Sequence, residues 1–386
     1  MRALILGGGG AIASACAQDL LQTSADLSEM SLADVNLERA RNVTVDLHDD
    51  RVRAIKLDVS DLAKLSHSME SYDIIINLTP GPFSLIAVRA AIQAKRNYVD
   101  LGSHQHLSKQ AALDSIAKEA GITVCLGCGA SPGITNVLVR YAAKQMESIQ
   151  DVRIAMAKFN ALAPSSGELD RLLEEFDPDA LRYYHENGNL VQVDPFMSPL
   201  VVDFSPPIGR QEVHVLAHSE VHSIPQNIPG VQTVTVRAAW RKDVFFLMRT
   251  LHEVGLLSKE ALEIKGSRII PRDLVRYKLA KLPAQEEQGV WAHYLWVECD
   301  GMERGQRTVR RYLTSHPGMD RWGRKANALM AGVPASIGAQ LIRRGEGIPK
   351  GVVTPEACFE PDAFLKELSR REIHVDEQVL AETRLA

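Results

Sequence analysis

Residues 2–13 run Arg2-Ala3-Leu4-Ile5-Leu6-Gly7-Gly8-Gly9-Gly10-Ala11-Ile12-Ala13. A short apolar run enters four glycines, and Ala and Leu then recur at helical spacing through AIASACAQDLLQ. A strand, a glycine turn and a helix in immediate succession form the phosphate-binding opening of a dinucleotide fold. Two registers are open. Gly7-x-Gly9 places Ile12 at the third small-residue position, where it is bulky. Gly8-x-Gly10-x-x-Ala13 gives the tolerated G-x-G-x-x-A form and is preferred. Gly8, Gly10, Ala11, Ile12 and Ala13 are therefore candidate cofactor contacts, with diphosphate on the free N–H groups of the helix tip. The competing reading is a plain glycine-rich turn.

The flanking pattern favours the first reading. MSLADV, VRAIKLDV, YDIIINLT, NYVDLG and ITVCLG read as further strands, alternating with helical stretches such as SLIAVRAAIQAK and SKQAALDSIAKEAG. That alternation specifies a doubly wound parallel sheet, and Ile74-Ile75-Ile76 suits a strand buried on both faces. Asp34 closes the second strand, where a carboxylate accepts hydrogen bonds from a ribose and repels a 2'-phosphate. NAD is the expected cofactor, with NADP as the alternative because Arg39 and Arg41 follow closely. Asp58 is a candidate for the adenine edge or, equally, a helix cap. Asn77, Thr79 and Pro80 lie in NLTPGPF, a loop bordering the nicotinamide crevice; Thr79 as a simple cap is the rival reading.

Beyond about residue 135 the runs lengthen and alternate: VRIAMAKF, QEVHVLAHSEVHSIP, VQTVTVRAAW and HYLWVECDG. These predict a second α+β domain with a mixed, largely antiparallel sheet. Polar helical stretches are expected at Glu168–Phe176 and Lys242–Glu263. In GRKANALMAGVPASIGAQLIRRG, Ala and Gly recur at helical spacing with Pro334 near a helix start, so tight packing against another element is expected. The division is residues 1–130 for the Rossmann domain, 131–325 for a substrate, catalytic and dimerisation domain, and 326–386 for a helical segment packing back on the first domain.

Composition bounds the partners. A net charge of -4 with no long basic run argues against nucleic acid, and no stretch reaches the about 20 apolar residues of a membrane span. Five scattered cysteines suit reduced thiols in a cytoplasm. Cys125-x-x-Cys128 lacks a second pair and reads as part of a βα turn. His214, His218 and His222 are four apart, which invites a zinc site on a helix, but the β-branched segment ending at Pro225 reads as a strand and turn. No metal is expected.

LGGGGAIA, DIIINLTPGPF, NYVDLGS, GITVCLGCGASPGITNVLV, HSEVHSIP and AGVPASIGAQLIRRGEGIPKGVVTPE, in this order across residues 4–356, together resemble the saccharopine dehydrogenase family, including its lysine 6-dehydrogenase and carboxynorspermidine dehydrogenase branches. GCGASPGITN and GVPASIG are the most diagnostic pieces. The resemblance implies NAD(P)-linked chemistry at an amine carbon of an amino acid, in a pocket between a Rossmann domain and a mixed-sheet domain that often dimerises. Size favours L-lysine 6-dehydrogenase, which deaminates the ε-amine to a semialdehyde that cyclises. The alternatives are reductive condensation of an amine with a carbonyl, as in saccharopine or carboxynorspermidine formation, and a non-catalytic nicotinamide-binding sensor or scaffold. Two departures stand out: Ala13 replaces the third glycine, and Ser131 replaces an acidic residue before the Pro-Gly turn.

Candidate catalytic residues are Asp100, for the substrate ammonium or its proton, and His218 with Glu220 as a relay. Gly133, Thr135 and Asn136 are candidates for substrate binding at a helix tip; ordinary capping is their rival role. Arg237, Arg241, Arg310 and Arg311 compete for the substrate carboxylate, with Arg241 and Arg310 preferred. A small-molecule amino-acid substrate and a homodimer or higher homo-oligomer complete the expectation.

Overall fold

The computed structural model describes residues 1–102, 104–159, 166–194, 196–197, 199–282, 291–345 and 347–381. Ser103 and Glu346, inside two of the segments that carry the family resemblance, lie outside the described residues. The chain opens with β1 (Arg2–Leu6), α1 (Ala11–Thr23), β2 (Glu29–Asp34), α2 (Leu37–Leu47), β3 (Val52–Lys56), α3 (Leu62–Met69), β4 (Ile74–Asn77), α4 (Ser84–Ala94) and β5 (Asn97–Asp100). Then come α5 (Leu107–Ala111), α6 (Asp114–Glu119), β6 (Thr123–Cys125) and α7 (Ile134–Ala143). Ile74, Ile75 and Ile76 are fully buried, as continuous apolarity requires of a strand covered on both faces.

The second half comprises β7 (Ser148–Phe159), α8 (Ser166–Glu175), β8 (Arg182–Glu186), β9 (Asn189–Val193), β10 (Leu200–Asp203), β11 (Arg210–Val215), α9 (Glu220–Asn227) and β12 (Thr233–Trp240). It continues through α10 (Lys242–Glu253), β13 (Leu262–Ile264), β14 (Ser267–Ile269), α11 (Pro271–Leu279), β15 (Ala292–Glu303) and β16 (Gln306–Ser315). The tail adds α12 (Ala326–Arg344), β17 (Gly351–Val353), α13 (Pro355–Cys358), α14 (Pro361–Arg370) and β18 (His374–Ala381).

The first sheet has seven parallel strands in the order β17-β6-β5-β4-β1-β2-β3, with the switch point between β1 and β4. The expected doubly wound sheet is present. Its last strand, β17, comes from the tail of the chain. The second sheet is mixed and mostly antiparallel, in the order β10-β11-β12-β7-β15-β16-β18 with β8 and β9 attached to β12; β12 and β7 are its parallel pair.

Helix α12 joins the two parts. A Cβ on Gly332 would sit 2.7 Å from the Ile12 carbonyl oxygen and 2.8 Å from the Cys16 nitrogen, so only glycine lets α12 settle on α1. Pro334 lies in the middle of α12 rather than near its start; burial of the surrounding Val333, Ala335 and Ile337 outweighs the one helix bond it forfeits. Other local readings also change. The 108–121 stretch is two short helices, because Asp114 begins a new one and accepts the Val352 N–H of β17 (2.9 Å). The 242–263 stretch stops at Glu253, followed by Gly255 at φ +75. Pro225, expected in a strand and turn, is inside α9, whose Val221 and Ile224 are buried. Among the described residues no helix is long and apolar enough to cross a membrane.

Candidate functional site

The glycine turn delivers an uncapped helix tip. Gly10 is the N-cap of α1 and supplies no side-chain hydrogen bond, and the first turn carries no acidic residue, so the N–H groups of Ala11, Ile12 and Ala13 face outward without a protein carboxylate. The register differs from the preferred one. Gly7, at φ +77, makes the turn, and a Cβ on Gly9 would lie 2.6 Å from the Arg39 Cβ, whereas Gly10 has only the Gly7 oxygen at 3.3 Å. The glycine requirement therefore follows Gly7-x-Gly9, with Ile12 at the third position, half-buried and lining a cavity. Gly8 is needed for another reason: its Cβ would strike the Leu32 backbone of β2 at 2.7 Å.

Asp34 ends β2 beside this turn, its Oδ2 accepting the Gly9 N–H (3.0 Å) and its Oδ1 the Asn36 N–H (2.9 Å). Arg39 donates to the Gly9 oxygen (3.2 Å). The turn, helix tip and carboxylate fit a dinucleotide. A nicotinamide cofactor held there supplies or accepts hydride. Asp58, by contrast, is exposed and accepts from the Ser60 N–H and hydroxyl in a local turn.

At the carboxyl ends of β4 and β5, several candidates serve the scaffold. Asn77 is buried, donating to the Tyr98 oxygen (2.8 Å) and accepting from the Thr79 N–H (3.1 Å) and hydroxyl (2.6 Å); Pro80 is exposed. Asp100 is buried too. It accepts from the N–H groups of Gly102 (2.8 Å) and Gly127 (2.9 Å) and from the Tyr98 hydroxyl (3.0 Å). Burial pushes its carboxyl up to about 6 despite those bonds. Asp100 thus clamps two glycine turns and lines neither of the cavities described below, which corrects its assignment to the substrate amine.

The Pro-Gly turn is rigid for steric reasons: Gly133 has φ +134, and a Cβ there would fall 1.9 Å from the Gly129 oxygen. Thr135 and Asn136 are buried behind it. Asn136 Oδ1 accepts the Gly133 N–H (2.9 Å), while its amide donates to Ser223 (3.3 Å) and Glu356 (2.9 Å). Gly133, Thr135 and Asn136 therefore support the site from behind instead of lining it. The carboxylate absent at Ser131 arrives from α9. Glu220 accepts from the Ser131 (2.5 Å) and Thr135 (3.0 Å) hydroxyls and from His218 Nδ1 (2.5 Å). Burial pushes the Glu220 carboxyl up, but the attraction of His218 and these bonds hold it below its ordinary range. His218 itself lines a cavity.

Two adjoining cavities open between the first sheet and the second, sharing Leu101, Arg171 and Glu175. One reaches from Ile12, Ser131 and the α12 residues Asn327 and Ala331 to Lys158, Trp240 and His293. Those last three stand directly opposite one another on β12, β7 and β15, forming a row across the sheet. Lys158 is ion-paired with Glu175, which also accepts from Trp240 Nε1 (2.9 Å) and Arg171 Nε (3.3 Å). Burial lowers the Lys158 proton affinity. It would raise that of Glu175, but the Lys158 and Arg171 charges outweigh it and hold the carboxyl down to about 2. His293 is kept neutral by burial, and its Nε2 has no partner among the described residues. The other cavity runs from Gly81, Pro82 and His104 to His218 and Ser219.

Sequence reasoning missed this charged centre, and its choice of arginines needs correction. Arg310, on β16, is held by Glu303 of β15 (2.8 Å) and Glu377 of β18, Arg311 by Glu298 (2.8 Å), Arg241 by Asp243 (2.9 Å), and Arg237 by Thr235 (2.7 Å) and Tyr184. None of them lines either cavity; Arg171 lines both. Of the spaced histidines, His214 stacks on Phe245 at 4.4 Å. Among the described residues no three His, Cys, Asp or Glu side chains converge as a metal site.

Residues 3–125 match the saccharopine dehydrogenase NADP binding domain, and residues 129–373, more than half of the chain, match the saccharopine dehydrogenase C-terminal domain. Carboxyaminopropylagmatine dehydrogenase of Synechocystis is 25% identical over 391 aligned positions, covering 95% of both chains. Carboxynorspermidine synthase of Vibrio alginolyticus is 25% identical, covering 86% of this chain and 84% of its own. Apo saccharopine dehydrogenase (L-Glu forming) of Saccharomyces cerevisiae shares the fold with a TM-score of 0.75 at 18% identity, covering 98% of this chain and 100% of the yeast chain.

Proposed function

The chain belongs to the saccharopine dehydrogenase family, and from that membership we propose that it is an NAD(P)-dependent enzyme of the condensing kind, joining a primary amine to a carbonyl compound as a carboxylated secondary amine. It is an oxidoreductase acting on amine-bearing substrates. Relatives named for carboxyaminopropylagmatine and carboxynorspermidine move the reading from lysine ε-deamination to the condensation alternative. The sensor alternative gives way because a buried Lys–Glu pair faces the cofactor crevice.

One observation carries the proposal: Lys158, Glu175 and His293 gather beside Ile12 of the dinucleotide turn in a cavity of mixed charge. In the condensing direction the amine nitrogen attacks the carbonyl carbon. The carbonyl oxygen leaves as water after proton transfers, and the resulting iminium carbon accepts hydride. Lys158, whose proton is weakened by burial, is the proposed donor to the departing oxygen. Glu175 holds Lys158 in place and opposes the iminium charge. His293 Nε2, without a partner among the described residues and kept from protonation by burial, offers a hydrogen-bond acceptor to the amine or to the released water.

Mass spectrometry of the products tests the reading. The expected result is consumption of reduced cofactor only when amine and carbonyl are supplied together, with a secondary amine as product. Ammonia and reduced cofactor from L-lysine and oxidised cofactor, with no carbonyl compound supplied, would restore the deaminase reading. A homodimer is the proposed assembly; a monomer by light scattering at working concentration contradicts it.

A further inference from the structure

The second cavity has a chemistry of its own. His104, on the loop after β5, faces His218 at the entry to α9 and Arg171 on α8, and all three line the cavity. His222 and Arg182 add positive potential at His104. Two of the carboxylates nearby, Glu220 and Glu175, are already engaged. Glu220 is held by His218, Ser131 and Thr135, and Glu175 by Lys158, Trp240 and Arg171. Glu174, on the cavity rim, has Arg272, Arg171 and Lys259 as its surrounding cations. Among the described residues, Arg171 uses one of its five guanidinium donors, Nε, on Glu175.

We propose that His104, His218 and Arg171 form a carboxylate subsite that holds the acid group of the carbonyl substrate, placing its reactive carbon toward Lys158 in the adjoining cavity. This rests on the condensing reading of the same cleft. Arg171 and Glu175 stand between the two cavities, so one residue pair divides the acid-binding half from the half where the bond forms. Burial, reinforced by His218, Arg171, His222 and Arg182, lowers His104 to about 4, so its ring is neutral near pH 7 while the subsite is empty. An arriving carboxylate reverses that balance and draws a proton onto His104.

The test is calorimetric titration of the protein saturated with oxidised cofactor, using succinate as probe and uncharged succinamide as control. Titrations in two buffers of different ionisation heat give the number of protons taken up. The expected result is succinate binding with proton uptake near pH 6, and no binding of succinamide. Arg171→Gln weakens succinate by about 10-fold or more, the loss of one charge-assisted pair, and leaves the proton uptake in place. His104→Gln abolishes the uptake. No succinate binding, equal binding of succinamide, or unchanged affinity in Arg171→Gln with unchanged uptake in His104→Gln overturns the subsite. Succinate binding that responds to both variants, without condensation for any amine and carbonyl pair, keeps the subsite and sinks the condensing reading. Condensation with an unaltered KM for the carbonyl acid in both variants does the reverse.

Discussion

The cofactor crevice and the charged cavity facing it are built by different means. The crevice is made of backbone: Gly7 turns, Gly8 lets β2 approach, Gly9 makes room for Arg39, and α1 presents bare N–H groups. The cavity is made of side chains from β7, β12, β15 and α8, brought together by sheet register and one ion pair. A backbone-made site leaves a contiguous trace in the sequence. A side-chain-made site leaves scattered charges whose partners are visible only after folding.

Substitutions that separate the two regions should differ in size. The largest effect is expected for Glu175→Ala, which strands Lys158 and the Trp240 N–H in a buried setting. Breaking such a pair costs about 3–5 kcal/mol, read by urea denaturation; a loss within experimental error would show that the pair is solvated and the cavity open. Next is Asp100, the clamp between the regions. Its folded-state value of about 6 lies above the ordinary 3.8, so the folded chain holds the proton more tightly. Stability from this group is therefore greatest below the ordinary value and falls as pH rises through about 6, by about 3 kcal/mol in all. Asp100→Asn should remove that slope from the stability–pH curve, whatever its absolute stability; an unchanged slope contradicts the buried clamp.

Gly332→Ala tests the seam between α12 and α1, because its Cβ would meet backbone atoms at 2.7 and 2.8 Å. A loss of about 2 kcal/mol is expected from overpacking, seen as a lower Tm, and no change would mean the seam is looser than described. The smallest effect belongs to the cofactor edge. Asp34→Arg should shift the ratio of kcat/KM for NADP over NAD upward by about 10-fold, one charge-assisted contact. A constant ratio would remove Asp34 from ribose recognition.

The first sheet was legible because each of its features is local: glycines after an apolar strand, the Ile74–Ile76 run, Asp34 at a strand end. Even so, the glycine register was misjudged, since Ile12 looked too large for a position that in fact borders a cavity. Asp100 lay where a catalytic carboxylate was expected, yet its partners Gly102 and Gly127 come from two separate turns. The charged centre did leave a signal. Lys158 shares its strand face with Val152, Ile154 and Met156, all buried, so a cation sat at inward parity in an otherwise apolar row. Arg171 and Glu175, four apart, fell within a stretch expected only as a polar helix. Nothing in the sequence placed that helix over β7, and the arginines on β12 and β16 drew attention instead.

Hydride must cross from the glycine-turn crevice to a carbon held beside Lys158. Incubation with an amine, a carbonyl acid and reduced cofactor carrying deuterium at its transferable position tests this directly. The expected product is a secondary amine with the deuterium on the carbon bonded to nitrogen, and little of it forms with Lys158→Met. Product without deuterium, or full transfer by Lys158→Met, would contradict it.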